Sequence, residues 1–88
     1  MKWHITQAEY LKDYRLRLTF KDGLVKDVDL KDELWGPVFQ PLKNLEEFKK
    51  FRVDPEMDTI AWENGADFSP RALYEMGKKV DPNENHLP

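Results

Sequence analysis

From Tyr14 to Phe20 apolar and polar residues alternate without a break, placing Tyr14, Leu16, Leu18 and Phe20 on one side and Arg15, Arg17 and Thr19 on the other. Alternation with a period of two is what a half-buried strand requires. Asp22-Gly23 follows, and then Leu24-Val25-Lys26-Asp27-Val28-Asp29-Leu30, so the segment predicts a β-hairpin. Parity decides its register. A two-residue Asp22-Gly23 loop would set Leu18 against Asp27 and Leu16 against Asp29, carboxylates on the core face. A three-residue Lys21-Asp22-Gly23 loop with Gly23 left-handed instead pairs Phe20 with Leu24, Leu16 with Val28 and Tyr14 with Leu30. The same register sets Arg17 opposite Asp27 and Arg15 opposite Asp29 on the other face, ion pairs worth about 0.2–1 kcal/mol each. Lys26, opposite Leu18, is the one misfit and needs its stem to cover apolar surface.

Weaker patterns flank this hairpin. Ile5 to Tyr10, with Trp3, Ile5 and Tyr10 as apolar members, predicts a strand that extends the sheet through a Lys12-Asp13 turn. Residues 31–42 mix charges with Gly36, Pro37 and Pro41 and read as an irregular connection, pinned to the core by Trp35, Val38, Phe39 and Leu42. Asn44-Leu45-Glu46-Glu47 has the form of a capping box, Asn44 taking the third amide while Glu47 reaches back, and opens a helix over roughly 44–50. Phe51 to Asp54 and Thr59 to Trp62 flank a Pro55-Glu56-Met57-Asp58 loop, a second hairpin expected to pair Val53 with Ile60 and Phe51 with Trp62. Ser69-Pro70 then starts a second helix, with Ser69 as cap and Leu73 and Met76, joined by Ala72 or Val80, as its buried stripe. Gly77 or Lys78-Lys79 marks its end. The fold class this predicts is α+β: a small antiparallel sheet from an N-terminal strand and two β-hairpins, with two short helices packed on one face. Residues 1–80 form one domain, and 81–88 are expected to be a disordered polar tail.

Composition narrows the function classes. The chain has 88 residues, 40% apolar and 35% charged, with 14 Lys+Arg against 17 Asp+Glu and a net charge of -3. A chain this short hides only about 60–65% of its unfolded surface, so its three Trp, three Tyr and five Phe must carry much of the core. With no cysteine there is no disulfide, thiolate metal site or cysteine nucleophile, which suits the cytoplasm. No stretch approaches the roughly 20 apolar residues that cross a bilayer, so no membrane partner is expected.

The chemical inventory is thin. Ser69, the one serine, is explained by capping, and His4 and His86 stand near opposite ends of the chain. Asp27 with Asp29, or Glu63 with Asp67, could be posed as an acid and base or a hard-cation site, yet Asp27 and Asp29 already face arginines and no calcium-loop spacing is present. The four glycines are dispersed and form no phosphate loop. These readings lead to no catalytic residue, no metal and no cofactor. Lys43, Lys49, Lys50 and Arg52 surround Phe51 in a pattern open to nucleic acid, but Glu46 and Glu47 blunt their charge, so a solvated helix face explains them more simply.

Trp62 to Tyr74 is the most specific stretch: an indole, a turn-forming Asn64-Gly65 step, Asp67 and a helix start. A purely structural account makes Trp62, Phe68 and Leu73 core, leaves Asn64 and Gly65 to the turn, and has Asp67 bonding amides at the helix start. The order of strand, Asp22-Gly23 hairpin, Val28-Asp29-Leu30, Phe39 to Leu42, Phe48, Trp62-x-Asn64-Gly65-Ala66-Asp67 and Ser69-Pro70-x-x-Leu73-Tyr74 resembles a family of small bacterial domains of unknown function, over about residues 5–77. The resemblance implies an α+β fold and no established activity. It also implies a setting, since members look like stand-alone proteins or N-terminal domains of helix-turn-helix proteins, some encoded beside another small protein like a toxin and antitoxin. No helix-turn-helix follows residue 80, so the DNA-binding role is not carried over. The expected function is a non-catalytic interaction or regulatory module that binds a protein partner or a second copy of itself. Trp35, Trp62, Asn64, Asp67 and Tyr74 are its candidate surface. A nucleic-acid accessory factor, a small-ligand sensor and an enzyme of unrecognised type stand as the alternatives.

Overall fold

The Lys21-Asp22-Gly23 turn sets the geometry of the larger sheet. In the computed structural model, which describes residues 2–80, Gly23 has φ +91°, its amide donates to the Phe20 carbonyl at 2.9 Å, and Phe20 donates to Leu24 at 2.9 Å. The three-residue loop therefore holds, and β2 (Arg15–Phe20) pairs with β3 (Val25–Asp29) in the register that parity required. Leu16 lies opposite Val28, Arg17 opposite Asp27 and Arg15 opposite Asp29. β1 (Ile5–Lys12) joins the free side of β2 and runs two residues beyond Tyr10, with irregularities at Thr6 and Leu11 that bend it.

The second hairpin, β4 (Arg52–Asp54) with β5 (Thr59–Ala61), pairs Val53 with Ile60 but forms a separate two-stranded sheet. Its loop is closed by Asp54, whose carboxylate accepts the amides of Glu56 at 2.8 Å and Met57 at 3.2 Å, while Asp58 takes a left-handed φ of 54°. The larger sheet gains its fourth strand elsewhere: β6 (Lys78–Lys79) follows the second helix and pairs antiparallel with β3, giving the order β1-β2-β3-β6.

Both helices are short. α1 (Leu45–Phe48) is capped by Asn44, whose side chain accepts the Glu46 amide at 2.9 Å, one position earlier than the capping box predicts; Glu47 turns away to meet Lys50 at 3.2 Å. α2 (Pro70–Met76) starts as expected, with Ser69 Oγ accepting the Ala72 amide at 3.3 Å. Its inward stripe differs from the expectation, since Leu73 and half-buried Tyr74 carry it while Ala72 and Met76 are exposed. The chain turns at Gly77 because it passes close to β3: a Cβ there would stand 2.8 Å from the Cβ of Lys26. Lys26 resolves its own misfit by reaching back over the Tyr74 ring, 3.8 Å from its centroid, and donating to the Tyr74 carbonyl at 2.5 Å.

One core joins these elements except β6, whose two lysines are exposed. Ile5, Leu16, Leu18, Phe20, Val28 and Leu30 line the inner face of the sheet, and Leu34, Leu42, Phe48, Ile60, Trp62, Ala66 and Leu73 close over it. Phe48 is its hub, stacked edge-on against Tyr10 and Tyr14 and tilted against Trp62. The tail expected at residues 81–88, with His86, lies outside the described residues.

Candidate interaction surface

The stretch from Trp62 onward is built as a tight turn that braces its neighbours. Trp62 donates its amide to Ala66 at 2.9 Å and accepts from Gly65 at 3.0 Å, with Gly65 at φ +92°. Asn64 uses both ends of its amide: Oδ1 accepts the Ala66 N–H at 3.1 Å, and Nδ2 donates to the Val38 carbonyl at 2.9 Å. Trp62 itself points inward. Its indole is 3% exposed and donates Nε1–H to the Phe48 carbonyl at 2.9 Å, so it belongs to the core and offers no contact surface. Thr59, buried beside it, donates to the Phe68 carbonyl at 2.6 Å.

Asn64 therefore fixes the connection at residues 34–42 as a cap. Within that cap the expected anchors separate. Leu34 and Leu42 are buried and the Phe39 ring packs 4.9 Å from that of Phe68, but Trp35 is 74% exposed and Val38 42% exposed. The correction has a geometric cause. Gly36 adopts φ +92° and Pro37 follows, so the chain reverses over Leu34 and only one of the two adjacent side chains, Leu34 or Trp35, can face the core. Backbone bonds from Phe39 and Gln40 to the Gly36 carbonyl, 3.2 and 3.1 Å, hold the reversal. Beside the cap a cleft of about 200 Å³ opens between Pro41, Glu47, Lys50, Trp62 and Asn64.

The other two candidates stand apart from this cap. Asp67 is exposed; its backbone bridges to Ala61, and its carboxylate makes no hydrogen bond or ion pair among the described residues. The amide it was expected to bind, at the start of α2, is taken by Ser69. Tyr74 lies edge-on against Phe20, 4.9 Å between centroids, and donates its hydroxyl to Asp22 at 2.6 Å. That bond, with the Leu24 amide on the same carboxylate, holds Asp22 below the ordinary aspartate range, and Asp22 in turn raises the Tyr74 phenol. Asp54 is lowered in the same way by the Glu56 and Met57 amides. The Asp54 shift comes from bonds that close its own turn, whereas those of Asp22 and Tyr74 come chiefly from the bond that ties the hairpin turn to α2.

The basic cluster around α1 is largely matched within the chain: Lys49 lies 3.9 Å from Glu46, Lys50 3.2 Å from Glu47 and Arg52 3.4 Å from Asp54. Among the described residues no three His, Cys, Asp or Glu side chains gather in a form that could hold a metal ion. No described helix is long and apolar enough to cross a membrane. Sequence reasoning missed Val38 as a surface residue, since an irregular loop has no period from which to read its faces.

No curated protein and no solved structure gives a match to this chain. Among known families, residues 5–79 match one described as proteins of unknown function, a span that takes in every strand and both helices. That span covers most of the sequence, and the chain belongs to the protein family of unknown function DUF2442.

Proposed function

We propose that this chain is a non-catalytic protein-interaction module whose contact surface is the cap at residues 34–42, with Trp35 as anchor. The observation that carries this reading is that Trp35, 74% exposed, stands on a backbone braced by the Gly36 reversal and by Asn64. A large aromatic held out on an ordered loop loses little conformational freedom on binding, and burying it contributes on the order of 2–4 kcal/mol, the scale of an interface hot spot. Val38, 42% exposed on the same cap, adds apolar area to that surface. In this reading the partner is a second small protein that the chain regulates in the bacterial cytoplasm, as in a toxin and antitoxin pair, a setting taken from the family resemblance.

The test is affinity purification of tagged full-length protein from its own host at moderate salt, with a nuclease-treated control and a Trp35→Ala variant beside it. A stoichiometric protein that survives nuclease and is lost with Trp35→Ala, while the melting temperature is unchanged, supports the reading. Recovery that vanishes with nuclease assigns the chain to nucleic acid instead. A partner retained by Trp35→Ala removes the cap from the interface, and an eluate without partner protein removes the reading itself.

A further inference from the structure

Among the described residues no helix covers the outer face of the four-stranded sheet, and a cleft of about 800 Å³ opens over it, lined by Glu9, Arg15, Asp27, Asp29, Met76 and Lys78 among others. No residue of the Trp35 cap lines it. Its charges are ordered. The register places Glu9 beside Arg17, Arg17 beside Asp27 and Asp27 beside Lys78, a row that reads minus, plus, minus, plus across β1, β2, β3 and β6. One row further along, Arg15 and Asp29 repeat the central pair. Arg17 and Asp27 are joined at 2.8 and 3.0 Å and Arg15 and Asp29 at 3.3 Å, yet these side chains keep between 36% and 51% of their exposure.

From this row we infer that the outer sheet face is a homodimer interface whose occupant is a second copy of the same chain. Two copies can meet face to face about a two-fold axis parallel to the strands, passing between β2 and β3. That operation sets β1 of one copy against β6 of the other and β2 against β3, while each row stays opposite itself. Because the Glu9 row alternates, each of its charges then meets its opposite: Glu9 faces Lys78 of the second copy and Arg17 faces its Asp27, while in the next row, where Lys12 stands beside Arg15, Arg15 faces the second copy's Asp29. The two arginines and two aspartates of the central row close into a ring of alternating charge. Turning the axis at right angles, across the strands, would set each strand on itself and Arg17 against Arg17. The pattern thus selects one arrangement, as interface electrostatics commonly fixes orientation. With strands about 4.8 Å apart and about 3.4 Å per residue, the face spans only a few hundred Å² per copy, so the dimer is weak, concentration-dependent and sensitive to salt.

Glu9 and Lys78 make the decisive test because both are exposed and neither has an ion pair within the described chain. Sedimentation equilibrium of the full-length chain at low salt is expected to show reversible dimer. Glu9→Lys alone and Lys78→Glu alone each create two like-charge contacts per dimer and are expected to weaken it about tenfold or more. An equimolar mixture of those two variants restores opposite charges at both contacts, and is expected to recover dimer that neither variant forms alone. Unchanged melting temperatures establish that both variants are folded. A chain that stays monomeric up to millimolar concentration would overturn the proposal, as would single variants that dimerise like the parent or a mixture that recovers nothing. A full-length monomer whose truncation after Val80 dimerises would give the face to residues 81–88 instead. The Trp35 reading is untouched by any of these outcomes, since Trp35→Ala leaves this face intact.

Discussion

The β2–β3 hairpin and the cap that follows it treat their apolar residues in opposite ways. In the hairpin, Leu16, Leu18, Phe20 and Val28 all turn inward and the arginines and aspartates pair across the outer face. In the cap, Leu34 and Leu42 are buried, but the largest side chain, Trp35, is left in solvent although the backbone around it is held by hydrogen bonds. A strand has two faces and alternation assigns each residue to one of them. A loop closed by a left-handed glycine has no such rule, and which side chain goes in is decided by the turn. The hairpin is thus a solution to folding, whereas the cap keeps apolar area that folding does not use. Substitutions on both sides can break or sharpen that contrast.

The largest effect is expected at the core side. Phe48 is fully buried and touches Tyr10, Tyr14 and Trp62, so Phe48→Ala should cost about 3–5 kcal/mol, most of the stability of a domain this small. Trp35→Ala removes a larger side chain and should change stability by no more than about 0.5 kcal/mol. Urea denaturation of the two variants side by side measures the contrast. If Phe48→Ala has no folded baseline, Phe48→Leu gives the same ordering at smaller scale. A Trp35→Ala loss approaching that of a Phe48 variant would erase the distinction between the two regions.

Asn64 gives the intermediate case, because it ties one region to the other. Asn64→Ala removes the bonds to the Val38 carbonyl and the Ala66 amide and should cost about 1–2 kcal/mol. The loss should be uneven: amide exchange at Phe39 and Gln40, whose bonds close the cap, should accelerate more than exchange in β2. Uniform acceleration would mean that the cap opens only with the whole domain.

How much of this could be read in advance follows the same division. The register of β2 with β3 was legible because parity, a turn glycine and two arginine–aspartate pairs all required one answer. The Val53–Ile60 pairing was legible for a similar reason. The separation of that hairpin into its own sheet was not, since pairing within a hairpin is local and the neighbour of its edge is set by distant packing. Lys78–Lys79 carries no strand pattern at all. It pairs with β3 because Gly77 lets the chain pass close to Lys26 beside an open edge. The turn chemistry of Asn64 was legible, although its second bond to Val38 could not be foreseen. Trp62 was legible both as core and as anchor, because an indole fits either until its N–H partner, the Phe48 carbonyl, is known.

The smallest expected effect concerns pH, and it should be confined to the hairpin side. Asp22 has its pKa lowered in the folded chain, chiefly by the Tyr74 hydroxyl, so its contribution is present above the ordinary aspartate pKa and is lost as pH falls through the folded value, below about pH 4. Tyr74 has its pKa raised by Asp22, so its contribution is present below the ordinary phenol pKa and is lost as pH rises above about 10. The melting-temperature difference between the parent and Asp22→Asn should therefore be positive and level between these limits. It should shrink towards acid, where Asp22 becomes neutral, and reverse towards alkali, where a Tyr74 phenolate would face the Asp22 carboxylate. Asp54→Asn, whose carboxylate meets only backbone amides and Arg52, should lose its difference at the acid end alone. Between Trp35 and Leu42 there is no ionisable side chain, so neither variant should alter partner capture through the cap. A difference profile for Asp22→Asn with a single acid limb would show that Tyr74 does not depend on Asp22, and the hairpin and α2 would then be held together by the packing of Phe20 against Tyr74 and by the contacts of Lys26 with Tyr74.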